Sequence, residues 1–130
     1  MTEHPLIRPL RRDEFWTAER CFITELLNDP SMPETSLARA RVEPGVTTAL
    51  HRLDVEETYV IEVGEGLMQV GEERFAVEAG DSIRIGAGVA QRITNTTKDD
   101  LVFLCLCRPR FRAEGYVDLE DMLEDRSEVV

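Results

Sequence analysis

Apolar residues in this chain come in short runs with a two-residue beat, and each run is stopped by glycine, proline or a polar cluster. Period two marks a strand with one buried face. Residues 36–42 (SLARARV) are the clearest case, with Leu37, Arg39 and Arg41 on one face and Ala38, Ala40 and Val42 on the other. Residues 21–27 predict an earlier strand, ended by Asn28-Asp29-Pro30 because proline cannot continue a ladder. Further strands are predicted over 47–53, 58–63, 67–70, 74–77, 82–85, 89–95 and 101–107. Pro44-Gly45, Gly64-Glu65-Gly66, Ala79-Gly80 and Gly86-Ala87-Gly88 supply turns between them, and Gly71-Glu72 reads as a hairpin. Two places depart from this beat. Residues 118–125 (DLEDMLED) space Leu119, Met122 and Leu123 along one face of a short terminal helix, with Phe111 and Tyr116 as its anchors. Residues 13–20 hold one helical turn carrying Phe15 and Trp16, and residues 126–130 read as frayed.

The pattern is therefore all-β. Many short antiparallel strands must hide their edges, and closing into a small barrel or jelly roll does so. The organisation expected is an N-terminal arm (1–20), a barrel (21–110) and a C-terminal tail with the short helix (111–130). A chain of 130 residues suits one domain, and 42% hydrophobic residues suffice for a core.

Charge narrows the partners. The formal net charge is -11, which argues against nucleic acid and against an anionic membrane surface. No apolar run approaches the roughly 20 residues of a spanning helix. Residues 1–9 hold no apolar stretch of signal-peptide type, so a cytoplasmic setting is expected. The three cysteines, Cys21, Cys105 and Cys107, form an odd set and read as reduced thiols. Cys105 and Cys107 fall on one strand face, more in keeping with core thiols than with a soft-metal site.

Candidate chemistry is sparse. The chain has two histidines, His4 and His51. His51 and Glu57 lie between Gly45 and Gly64, and Gln91 lies in a second glycine-marked run from Gly80 to Asn95. By strand alternation His51 shares a face with Leu53, Glu57 with Tyr59, Ile61 and Val63, and Gln91 with Val89, Ile93 and Asn95. If those faces line the barrel, one imidazole, one carboxylate and one amide converge in an apolar cavity of the kind that binds small molecules. Arg41, with Arg39, either faces such a cavity, where it would bind a carboxylate or phosphate, or lies on the solvated face.

The first run, with Gly45, His51, Glu57 and Gly64, resembles the first cupin motif, G-x5-H-x-H-x3-4-E-x6-G. The second, with Gly80, Gly88 and Asn95, resembles the second motif, G-x5-P-x-G-x2-H-x3-N. Fifteen residues, 65–79, separate the two. Leu53 stands where the motif has its second histidine, Gly86 where it has proline, and Gln91 where it has the last histidine. His4 matches no motif position. The resemblance implies a double-stranded β-helix, and a homodimer in which residues 21–27 complete the partner's sheet. It also implies a divalent metal (Mn, Fe, Ni or Zn) held by His51, Glu57 and Gln91. His51 and Glu57 are the expected catalytic residues, with Arg41, Leu53 and Tyr59 as substrate-binding residues. One nitrogen and two oxygens make a harder and weaker donor set than three imidazoles.

Three functions follow as expectations. One is isomerase, decarboxylase or lyase chemistry at a weak metal site, on a small oxygen-rich substrate such as a hydroxy acid, keto acid or sugar derivative. Another is a ligand-binding or sensor barrel without metal, in which Glu57, Gln91 and His51 satisfy one another by hydrogen bonds. The third is metal-free sugar isomerase or epimerase chemistry with His51 as base. In a metal-free barrel, a buried Glu57 has a raised pKa and serves as acid or base.

Overall fold

The structure is a computed structural model that describes residues 4–123. Two antiparallel sheets face each other. The first has the order β1 (Phe15–Trp16), β2 (Phe22–Leu27), β3 (Ser36–Val42), β10 (Leu101–Arg108), β5 (Glu56–Val63) and β8 (Ser82–Ile85). The second has the order β11 (Tyr116–Asp118), β4 (His51–Leu53), β9 (Gln91–Asn95), β6 (Glu65–Val70) and β7 (Glu73–Glu78). This is a jelly-roll barrel. The core lies between the sheets and is built from inward positions of alternating strands, among them Val42, Ile61, Met68, Ile85, Ile93, Leu101 and Phe103.

The two-residue beat translates directly into this packing. On β5, Glu57, Tyr59 and Ile61 are buried while Glu62 is exposed. Val63, expected on the same face as Ile61, is exposed instead, because the β5–β10 register shifts between Val102 and Phe103 at that end of the strand. On β8, Ile83 and Ile85 turn inward and Arg84 outward. On β3, Ala40 and Val42 are buried. Arg39 pairs with Glu62 on the outer face, and Arg41 with Glu14 and Asp100. Gly66 has to be glycine for a packing reason: a Cβ there would approach the Thr94 carbonyl oxygen to 2.6 Å, where β6 runs against β9.

Some expected elements change. The helical turn over 13–20 is replaced by an extended pair, β1, which hydrogen-bonds to β2 with Phe15 opposite Ile23 and Trp16 opposite Phe22. Both residues favour strands, and the Trp16 and Phe22 rings meet edge to face at 5.0 Å. A tight turn closes the pair, with Thr17 N–H donating to the Cys21 carbonyl at 3.0 Å and Arg20 at φ 69°. The strand expected over 47–53 is ladder-paired at its last three residues, His51–Leu53, preceded by an isolated bridge between Thr47 and Thr94.

At the C-terminal end, Tyr116–Asp118 forms β11 against β4, so the expected helix begins later, at residue 120, and is described through residue 123. The remainder of that helix and the segment 126–130 lie outside the described residues. Phe111 and Tyr116 pack on Leu53, Val55 and Cys107 in a second apolar cluster. Among the described residues, no helix is long and apolar enough to cross a membrane.

Candidate functional site

One end of the barrel encloses a cavity of about 230 Å³. Its polar lining includes Glu19, Glu25, Thr48, His51, Glu57 and Tyr59, and its apolar walls include Ile23, Leu27, Phe103 and Phe111. Two sheets contribute the chemistry. β4 supplies His51 and β5 supplies Glu57 and Tyr59, all buried.

Glu57 and Tyr59 reach from one sheet to Gln91 on the other. The Tyr59 hydroxyl donates to Gln91 Oε1 at 2.7 Å, and Gln91 Nε2 donates to Glu57 Oε1 at 2.9 Å. Gln91 is wholly buried behind this pair and does not line the cavity. Its amide locks the two β5 side chains and crosslinks the sheets. Tyr59 also stacks on Phe103, ring centroids 4.4 Å apart. The second Glu57 oxygen has the Cys107 thiol beside it at 3.8 Å. Burial pushes the Glu57 carboxyl up to about 7, against the lowering effects of the Gln91 hydrogen bond and the His51 charge.

The His51 ring is oriented by two contacts. Its Nδ1 lies 2.8 Å from the Ala49 carbonyl oxygen. A carbonyl only accepts, so Nδ1 carries the hydrogen and Nε2 keeps its lone pair in the neutral ring. Tyr116, brought by β11, stacks on the imidazole at 5.0 Å and 15°. On the chain, His51 stands directly opposite Gln91 in the β4–β9 register.

Glu19 belongs to this cavity, and sequence reasoning missed it. It precedes β2 in what reads as an arm, and no motif position marks it. Its backbone carbonyl accepts from Ala49 N at 2.9 Å, which ties the arm to the stretch leading into β4. Burial raises its carboxyl above the usual range, the His51 charge opposes that rise, and Asp118 adds to it. The available signal was an acidic residue flanking an apolar strand, which is too common to single out.

The other expected site residues fall elsewhere. Arg41 lies on the outer face of β3, its guanidinium 4.2 Å over the Phe22 ring and held by Glu14 and Asp100. Leu53 packs in the second apolar cluster and is not part of the cavity wall. Cys21, Cys105 and Cys107 all line the cavity. Burial, with Glu19 and Glu57 nearby, pushes the Cys21 and Cys107 thiols up to about 12, so they stay protonated.

The donor set does not fit a held metal ion. Gln91 Oε1 is taken by the Tyr59 hydroxyl, and its amino group faces Glu57. Among the described residues, no group of three or more His, Cys, Asp or Glu is arranged to hold a metal. His51 Nε2 and one Glu57 oxygen remain, fewer than the three protein ligands of an ordinary catalytic site.

Comparison with known proteins completes the picture. The family described as Cupin domain matches residues 38–107. An uncharacterised protein of Methanocaldococcus jannaschii is 35% identical over 123 residues, covering 92% of this chain and 94% of that one. A predicted oxalate decarboxylase of Thermotoga maritima superimposes with a TM-score of 0.63 at 28% identity, over 68% of this chain and 80% of the other. The nucleoside dehydratase Pac13 superimposes with a TM-score of 0.70 at 16% identity, over 82% of this chain and 83% of the other, and a substituted form of Streptomyces Pac13 with uridine gives a TM-score of 0.72 over 92% of each chain.

Proposed function

The chain belongs to the cupin domain family, and from that premise we propose that it is an enzyme performing acid–base chemistry of lyase or isomerase type on a small oxygen-bearing molecule, without a resident metal. His51 is the base, through Nε2. Glu57, ionising near neutral pH, is the acid that protonates a developing alkoxide or leaving hydroxyl. Tyr59 and Gln91 are positioning residues: their hydrogen bonds fix the Glu57 carboxyl in one orientation. The observation that carries this reading is the pair of an oriented imidazole and a buried carboxyl at about 7 on the wall of one cavity. An imidazole with a free ring nitrogen and a carboxyl that keeps its proton toward neutral pH can divide base and acid roles in this way.

Two structural neighbours bear the names of lyase-type reactions, a decarboxylation and a dehydration. Those names support the choice of chemistry, although one barrel hosts many reactions. The alternative is a ligand-binding barrel without turnover, favoured by the same hydrogen-bond network, which leaves Glu57 and Gln91 satisfied with no substrate present.

The two readings part in one experiment. Untagged protein is analysed for metals, then incubated in D2O with a panel of small ketones, aldoses, hydroxy acids and nucleosides, and followed by NMR. The expected result is less than about 0.1 metal ion per chain, with deuterium wash-in or product from at least one compound, abolished by His51→Gln. Compounds that bind without exchange or conversion would establish the non-catalytic barrel. Stoichiometric metal lost in His51→Gln would overturn the metal-free mechanism.

A further inference from the structure

The cavity carries a one-sided charge inventory. Three carboxylates, Glu19, Glu25 and Glu57, line it, and among the described residues no lysine or arginine does. Two arginines outside the lining already have polar partners. Arg41 is held on the outer face by Glu14 and Asp100. Arg110 does not line the cavity but donates to Oδ1 of the lining residue Asn28 at 2.9 Å, which occupies one of its guanidinium N–H groups. His51 is the one lining group able to carry positive charge, and its Nδ1 is tied to a backbone carbonyl. The remaining surface is largely apolar, with Phe15, Phe103 and Phe111 among its walls.

An anion entering this space would give up its hydration and meet carboxylates with no guanidinium or ammonium to balance it. That exchange is unfavourable in a low-dielectric enclosure. A ligand ammonium reverses the balance. It supplies the counter-charge that the lining carboxyl groups lack, and the aromatic walls accept both its apolar body and its charge.

We propose that the cavity selects its ligand by charge, taking a small ammonium-bearing molecule with an apolar body ahead of an uncharged one and rejecting carboxylates and phosphates, with Glu19 setting the preference. This rests on the cavity being the substrate site proposed above, and it replaces the hydroxy and keto acids expected from sequence with uncharged or cationic compounds. Glu19 suits the role because no described lysine or arginine forms an ion pair with it, its one described side-chain hydrogen bond comes from the weakly donating Cys21 thiol at 4.0 Å, and the cation-capable group that acts on it is His51, itself part of the cavity.

Three matched probes test it: 2-phenylethylamine, 2-phenylethanol and phenylacetate, which share a body and differ in the head group. Binding is measured at pH 7.5 by saturation-transfer NMR and calorimetry. The expected order is amine, then alcohol, then carboxylate, with at least about a tenfold gap between the first and last. Glu19→Gln, nearly isosteric, is expected to remove most of the amine's advantage and to leave the alcohol unchanged. Carboxylate binding equal to or tighter than amine binding overturns the proposal, as does an absence of binding by all three. An unchanged amine preference in Glu19→Gln overturns the assignment to that residue. Charge selectivity without turnover in D2O would leave this inference standing and remove the enzymatic reading. Turnover of an anionic substrate would do the reverse.

Discussion

At the scale of single residues, the site is a compromise between burial and ionisation, and Glu57 bears most of it. The unfolded chain would ionise this carboxyl near 4.5, whereas the folded barrel holds its proton to about 7. Below pH 4.5 both states are protonated and the group does not influence stability. As pH rises toward 7 the unfolded state loses its proton first, so the folded state is progressively disfavoured; above 7 the penalty levels off. From pH 5 to pH 8 this amounts to roughly 2–3 kcal/mol. Glu57→Gln, whose amide remains neutral, is expected to flatten that slope in urea titrations followed across the range, apart from a residual slope from Glu19. An unaltered slope in the variant would mean that the carboxyl is hydrated and ionises normally. His51 and Glu57 were legible in the sequence because each occupies a motif position on a strand of clear alternation. For Gln91 the hydrogen bond to Glu57 was one of the readings the sequence offered, but its second partner was not legible: that its amide oxygen is taken depends on Tyr59 arriving from the opposite sheet. Glu19 was invisible for the same reason, since only the docking of the arm on Ala49 brings it to the cavity.

At the scale of elements, strands and their turns were readable almost residue for residue where alternation was strict. Ser36–Val42 and Ser82–Ile85 match their expected bounds. Failures cluster where tertiary pairing overrides local pattern, as at Phe15–Trp16, where β2 recruits a two-residue strand, and at Tyr116–Asp118, which β4 captures before the helix begins. The connection from β9 to β10 shows how one side chain can hold an element junction. Asn95 is fully buried. Its Nδ2 donates to the Val42 carbonyl at 2.9 Å and to the Asp99 carbonyl at 2.7 Å, and its Oδ1 accepts from the Thr97 backbone N–H at 2.9 Å and hydroxyl at 3.0 Å. Asn95→Ala would orphan several of these groups at once. A loss of about 2–4 kcal/mol in unfolding free energy is expected, together with faster amide exchange across residues 96–100. A variant as stable as the parent would show that solvent satisfies the junction instead.

At the scale of the whole molecule, an edge is left to explain. β1 covers β2 through Phe22 and Ile23 alone. Along residues 24–27 the far side of β2 has no neighbour among the described strands, and an open edge is a template for pairing. Trp16, half exposed, stands beside that edge. A second copy docking there would extend the six-stranded sheet and cover the indole, so a homodimer is the expected assembly. It would assemble against its own charge, because each chain carries a formal net charge of -11. Mutual repulsion between two such surfaces is long-ranged at low salt and is screened within about 8–10 Å at 0.1–0.15 M. Light scattering at micromolar concentration is therefore expected to give twice the chain mass of 14.8 kDa in moderate salt, with the dimer weakening as salt is withdrawn. Trp16→Glu, which adds a hydrated negative charge near the edge without touching the cavity, should shift the balance toward single chains. A single-chain mass at every salt concentration would leave the β2 edge protected by its brevity and by Glu25, and would confine the protein's function to one barrel.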